Sequence, residues 1–325
     1  MSKEGSISVA ISLIGILAVF TALNKLVLPS HSYVWREIHN FGHTPLFGLL
    51  SLAILNLSIR LLGSVFPRHR VHYIIAFGLT FLLGLITELA QIIGPRDADP
   101  LDQVRNTVGA LIALGWYATI DPHLRTGFAR HHRSLRILFR TAVILLCLVS
   151  IAPTILWIEA YRYRNDQFPA LCRFESWREH WFIRPHDASV SIVPTPSAWS
   201  DNHSGSVGSI TFDTTVEYPG FVFDDPPADW SDYRALTLTA FSSEDTTVML
   251  YLTIEDHTHN HEYDDRYNRR FTIIPGANTV SVPLDSVRNA PSSRVMDLTR
   301  IENLNIFMVG PRRPTTLYLD DITLE

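Results

Sequence analysis

Five apolar runs dominate the first half of this 325-residue chain, and each approaches the length needed to cross a lipid bilayer. They lie at roughly 7–28 (ISVAISLIGILAVFTALNKLVL), 43–62, 73–94, 104–120 and 137–158. A hydrocarbon core about 30 Å thick takes roughly 20 apolar residues in a helix. Helices also satisfy their own backbone groups where no water is at hand. The first, third and fifth runs fit well. The second carries Asn56, Ser58 and Arg60 near one end, and the fourth is barely long enough. The first run is too apolar for a signal peptide, starts from Lys3 alone, and has no small-residue cleavage site after it, so a retained helix is expected.

Charge divides the chain in two. Up to Glu159 there are 13 Lys and Arg against 8 Asp and Glu; from Ala160 onward there are 14 Arg, no Lys and 24 acids. The mean hydropathy of +0.11 therefore averages a strongly apolar half with an ordinary soluble one. An acidic second half offers no basic surface for a phosphate backbone, which excludes nucleic acid as a partner. Cys147 sits in an apolar run and Cys172 beyond it, which argues against a disulfide or a cysteine metal site.

Basic residues set the orientation. The loop after the second run has Arg60, Arg68 and Arg70; the loop after the fourth has Arg125, Arg130, Arg133, Arg136 and Arg140 against Asp121. Both are expected in the cytoplasm, with the N-terminus inside and everything beyond the fifth helix outside. From about residue 170 the period changes. TLTAF, VMLYLTI, RFTII, TVSVPL, LNIFMV and TLYLDDITL are short β-rich runs between Gly, Pro, Asn and Asp, as in an antiparallel sandwich. The expected fold is a five-helix membrane bundle, residues 1–160, followed by an all-β jelly-roll sandwich, residues 170–325.

ELAQIIGPRDADPLDQVRN, residues 88–106, places much of the first half's charge between two apolar runs. Glu88 and Gln91 are three apart on one helical face, Asp102 and Asn106 four apart on another, and His39 and His43 four apart on a third. Asp99 or Asp102 can begin the next helix as a cap. The topology brings these three helix ends to one level near the outer leaflet. Purely structural roles remain open residue by residue: Asp102 as a cap, Arg96 paired with Asp97 or Asp99, Gln91 bonded to a neighbouring helix. Glu88 is the hardest to read so, because a carboxylate inside a spanning segment costs about 2.5–3.5 kcal/mol on insertion scales and normally faces a partner or cavity.

HTPLFGLL followed by ELAQ and GPRDADPLDQVRNTVGA resembles the VanZ-like family of small membrane proteins, over roughly residues 10–120. The family pattern falls on His43, Glu88, Gln91, Arg96, Asp102, Asn106 and Gly109, with Asp99 as a frequent extra acid. Many members carry Asp-Lys shortly before the His, where this chain has His39-Asn40. The resemblance implies a multi-pass protein of the bacterial cytoplasmic membrane and, for the founding member, low-level resistance to the glycopeptide teicoplanin. It implies no mechanism. The fifth helix and the outer half are additions to the family core.

The second half resembles galactose-binding-like jelly rolls, a class that includes many carbohydrate-binding modules, through FESW, RFTIIPGANTVSVPLDSV and TLYLDDITLE. Such domains often hold a structural calcium between their first and last strands, for which Glu175 and Asp321 are the hard oxygen donors here. Ordinary edge and turn acids are the competing reading. In EDHTHNHEYDDRYNRR, 255–270, the alternating His257, His259 and His261 would point one way from an extended chain and can hold zinc with Asp256 or Glu262. An exposed polar loop is the plainer reading. Trp199, Trp230, Tyr263 and Tyr267 are candidates to stack on sugar rings, against the commoner fate of burial in the sandwich.

Two functions follow. One is a binding protein of the cell envelope, whose helix-end pocket takes a membrane lipid or lipid-linked glycan and whose outer domain takes a cell-wall or surface polysaccharide. The other is an integral-membrane enzyme, with Glu88, Asp102 and His43 as acid–base groups and Arg96 on a phosphate. No nucleophile motif or phosphate-cradling glycine loop is present, which favours binding. A transporter is a poor fit, since five helices show no inverted repeat.

Overall fold

The computed structural model describes residues 3–25, 32–93, 99–124, 133–199 and 205–325. It divides into two compact units, Met1–Ile158 and Glu159–Glu325.

The first unit is helical: α1 (Lys3–Lys25), α2 (Tyr33–Leu62), α3 (His69–Ile93), α4 (Pro100–Ile120) and most of α5 (Arg133–Gln167). Three are long and apolar enough to cross a membrane, over Tyr33–Leu62, His69–Leu89 and Arg136–Gln167. Among the described residues, three of the five expected spans meet that length and hydropathy. The described apolar stretch of α1 is the shorter Ser6–Val19, and α4 spends its first two turns on Asp102, Gln103, Arg105 and Asn106. Exposed Ile74, Leu82, Leu138 and Val149 give the helices apolar outer faces, as lipid contact requires.

Helix α2 begins ten residues before its apolar run because Ser32 caps it, accepting the Trp35 N–H at 3.4 Å. Of the two acids before α4, Asp99 is the cap: its Oδ1 accepts the Leu101 N–H at 2.9 Å, and Pro100 follows at a position that needs no N–H. Small residues join α2 to α4. A Cβ on Gly48 would stand 3.2 Å from both the Ala113 methyl and the Gly109 carbonyl, and one on Gly109 would collide with the Thr44 carbonyl. Close backbone approach through small residues is how helices associate without a hydrophobic driving force. Phe47, Leu50, Ile54 and Leu55 of α2 fill the core beside Val19, Ala76 and Leu114.

The second unit is an antiparallel sandwich of two sheets. In chain order its strands are β1 (Ala170–Cys172), β2 (Ile183–His186), β3 (Ala188–Pro194), β4 (Ser206–Phe212), β5 (Gly220–Asp224), β6 (Ala235–Ser242), β7 (Val248–Asp256), β8 (Tyr267–Ile273), β9 (Gly276–Pro283), β10 (Ile301–Phe307) and β11 (Thr315–Leu324). One sheet runs β3-β4-β11-β6-β9 with β1 also on β11; the other runs β2-β5-β10-β7-β8. Alternation sends Phe221, Phe223, Leu250, Leu252, Ile254, Leu304 and Ile306 inward from the second sheet. Each fully buried side chain of this size contributes roughly 1.5–3 kcal/mol. At its start, Ser176 and Glu179 form a capping box, and Glu179 also accepts the Arg173 N–H at 2.9 Å. Burial nonetheless pushes Glu179 above the usual carboxylate range.

Candidate functional site

In the helical unit, α2 and α4 bring His43, Asp102 and Asn106 together. His43 Nδ1 lies 3.0 Å from Asn106 Oδ1, and its Nε2 lies 3.4 Å from Asp102 Oδ2, so both ring nitrogens are engaged across 63 and 59 residues of chain. His39 stands edge-on to His43 at 5.6 Å. Arg105 donates to Asp102 and, at 3.1 Å, to Asp99. Arg105 is a cation of this cluster among the described residues; Arg96 lies outside them. The signal was present, since Arg105 follows Asp102 by three residues on the same helix.

Glu88 on α3 is 7% exposed, close enough to Asp99 and Asp102 for their charges to act on it. Among the described residues neither of its carboxylate oxygens has a hydrogen-bond partner, and the same holds for Asn106 Nδ2. Gln91 is half-buried one turn further along α3. On the far side of Arg105 opens a cavity of about 200 Å³, lined by Glu37, Asn40 and Thr44 of α2 and by Ser150 and Thr154 of α5. That is smaller than the roughly 300–1,000 Å³ of drug-sized pockets, and Phe41, Val104, Val108, Val149 and Pro153 make most of its wall apolar.

In the sandwich, the candidate sugar-stacking aromatics need correction. Trp230 is fully buried, with its Nε1–H donated to the Pro227 carbonyl at 2.7 Å. Trp199 and Tyr267 are also core residues, and Tyr263 alone of the four exposes its ring. Only Tyr267 lies on a strand; Trp199, in a short 3₁₀ turn, packs on Phe241, and Trp230 is buried from the loop between β5 and β6. The open face of the β2-β5-β10-β7-β8 sheet carries a different set. In register across it run His186, Gly220, Phe307, Tyr251 and Arg270, then Arg184, Val222, Asn305, Thr253 and Asn268. Tyr251 stacks on Phe307 at 5.5 Å, and exposed Tyr218 meets Phe307 edge-on at 6.1 Å. Asn305 Oδ1 and Thr253 Oγ1 are buried in the next row with no hydrogen-bond partner among the described residues.

The three histidines do not converge. β7 ends at Asp256 and the chain turns, so the extended backbone that alternation required is missing. His257 Nε2 lies 3.3 Å from Arg300 and His259 Nδ1 3.1 Å from the Asp265 carbonyl, while His261 has a positive φ of 69°. Arg294 organises this region instead. It grips Asp256 at 2.6 and 2.7 Å and reaches Asp265 at 2.6 Å. Hydrogen bonds from Arg294 hold Asp265 down at about 2. Burial pushes Asp256 upward, but bonds from Arg294 and the Asp297 N–H outweigh it and leave Asp256 below its ordinary value. Glu175 accepts the Ser206 N–H at 3.2 Å; Asp321, at a bulge with φ 47°, faces Arg173 at 3.8 Å. Among the described residues neither belongs to a group of three possible ligands.

No protein-family model matches the chain, and no curated protein does. Solved structures do. An exo-beta-agarase matches with a TM-score of 0.39 and 14% identity over 48% of this chain, which spans only 25% of the agarase. A family 11 carbohydrate-binding module from Clostridium thermocellum, in complex with a beta-1,3-1,4-mixed-linked tetrasaccharide, matches with a TM-score of 0.37 and 20% identity over 48% of this chain and 93% of its own. The family 11 module of a cellulosomal cellulase from the same organism gives 0.32 and 18% over 44% and 85%. The likeness is one of fold.

Proposed function

We propose that this is a membrane-bound binding protein of the bacterial cell envelope, holding a polysaccharide on its sandwich and the polar end of a lipid or lipid-linked glycan in its helical unit. The observation that carries the reading is the open sheet face around Tyr251, Phe307 and Tyr218. Half-buried Tyr251 and exposed Tyr218, backed by buried Phe307 and flanked by exposed Arg270, suit a sugar, which offers C–H faces to rings and hydroxyls to polar side chains. The family 11 module solved with a mixed-linked tetrasaccharide makes a β-glucan the first ligand to try. The VanZ-like resemblance supplies the envelope setting, and the basic loops put the sandwich outside.

Full-length protein in detergent is to be incubated with insoluble mixed-linkage β-glucan and, separately, with peptidoglycan sacculi, with and without EDTA. Retention on either polymer that is lost in Tyr251→Ala and Asn305→Ala, but kept in Tyr263→Ala, supports the reading. Loss in EDTA alone would bring a calcium at Glu175 and Asp321 back into play. Failure of both polymers to retain the protein would remove the polysaccharide half of the proposal.

A second reading has its own observation. His43, held between Asn106 and Asp102, has the fixed ring position and carboxylate neighbour of an acid–base group. In that reading Glu88, Asp102 and His43 act on a lipid headgroup or lipid-linked sugar, and turnover of such a substrate by the full chain distinguishes it from binding.

A further inference from the structure

At the opposite ends of the same helices lies a second polar cluster, which neither the sequence pattern nor the proposed function uses. His69 opens α3, Asp121 closes α4, and His123 follows two residues on. Their possible ligand atoms all lie within 4.8 Å of one another, and this is the one such group of histidine, cysteine and carboxylate among the described residues. Asp121 is buried, and its Oδ1 accepts the His123 main-chain N–H at 2.8 Å. That bond folds the chain back and stacks the His123 ring on His69 with centroids 3.9 Å apart.

His69 Nδ1 is buried, has no hydrogen-bond partner among the described residues, and lies 4.0 Å from Asp121 Oδ2. That gap is too wide for a hydrogen bond. Zinc bonded to nitrogen and oxygen at about 2.0–2.2 Å holds them roughly 3.3 Å apart at a tetrahedral angle, so closing the pair by under about 1 Å reaches ligand geometry. The surroundings are also those of a ligand set. Tyr73 donates its hydroxyl to Asp121 Oδ2 at 2.8 Å, fixing the carboxylate as an orienting partner does around metals. His72, although edge-on to His69 at 6.1 Å, is committed elsewhere: its ring nitrogens meet Ser58 Oγ at 2.8 Å and the Phe66 carbonyl at 2.9 Å. Two imidazoles and one carboxylate are a borderline donor set, suited to zinc and its first-row neighbours rather than to calcium or magnesium.

We infer that His69, Asp121 and His123 bind one divalent transition-metal ion, which ties the start of α3 to the end of α4. Small χ rotations that separate the stacked rings bring the third donor in, and solvent fills the remaining position. The test is titration of EDTA-stripped, full-length protein in detergent with zinc, read by calorimetry and by the melting temperature. One zinc per chain and a rise in melting temperature are expected. His69→Ala and His123→Ala lose both, and Tyr73→Phe weakens binding about 10-fold. His257→Ala, in the other unit, leaves it unchanged. Helical circular dichroism in EDTA shows that each variant is folded, and His123→Gln replaces any that is not. Absence of zinc binding in the wild type, or binding undiminished in His69→Ala and His123→Ala, overturns the assignment. A histidine–aspartate contact without an ion is the conclusion in either case. Polysaccharide retention bears on neither result.

Discussion

Gly109 of α4 meets the main-chain carbonyl of Thr44 of α2 with no space between them for a methyl group. The contact sits one residue from His43 and three from Asn106, so it sets the distance across which those two side chains bond. Gly109→Ala must push the helices apart against backbone, where no side chain can yield. Overpacking of this kind costs about 1–3 kcal/mol. A fall in the melting temperature of the detergent-solubilised protein, with a larger fall for Gly109→Leu, is the expected result. An unchanged melt would mean that α2 and α4 are not held this closely.

Glu88 makes the opposite prediction. Both of its oxygens are buried without a partner among the described residues, and two further acids stand near. Glu88→Gln keeps the shape and removes the charge, so stability is unchanged or higher. A structural carboxylate would instead lose more than about 1 kcal/mol with its hydrogen bonds. The melting temperature of the variant decides between them.

Arg294 carries the region that follows β7. Arg294→Ala strands Asp256, whose side chain is fully buried, and is expected to lower the melting temperature of the sandwich by about 10 °C. The same bonds make a pH dependence. Asp265 has its folded value depressed to about 2, and Asp256 is depressed as well, against about 3.9 in an unfolded chain. Their stabilisation is therefore complete above about pH 4 and is lost as pH falls toward 2. Glu179, raised by burial, works in the other direction and gains as it protonates. The difference between wild type and Arg294→Ala cancels that background. Urea midpoints followed by pulse proteolysis should converge between pH 5 and pH 2; midpoints that stay parallel would contradict the assignment.

Much of this fold is written in local periodicity, and what is not is written at long range. The later strands follow from alternating β-branched runs, but IRPH, ASVSIVP and GFVFD are short or carry proline, and only their pairing makes them strands. The helical spacing of His39 and His43 already puts part of the polar start of α2 on the helix, and the Ser32 cap fixes where it begins. Glu88, Asp99, Asp102, Asn106 and His43 are legible because helical spacing predicts shared faces. Arg294 is not, since its partner Asp256 lies 38 residues away and no spacing rule links them. Without it, the alternation of His257, His259 and His261 suggests a strand that in fact stops at Asp256. The burial of Trp199, Trp230 and Tyr267 is not legible for a related reason: the identity of a ring does not say whether its turn, loop or strand folds it under the sheets.

Strand β11 lies inside its sheet, bonded to β1, β4 and β6, although it is the last of the sandwich to be synthesised. While the ribosome is still delivering residues 315–324, β4 and β6 have no neighbour between them, and β1 has nothing to pair with. The sandwich therefore cannot mature strand by strand as it emerges. The sheet β2-β5-β10-β7-β8 can pair before then, but β3-β4 and β6-β9 stay two separate ribbons until β11 joins them.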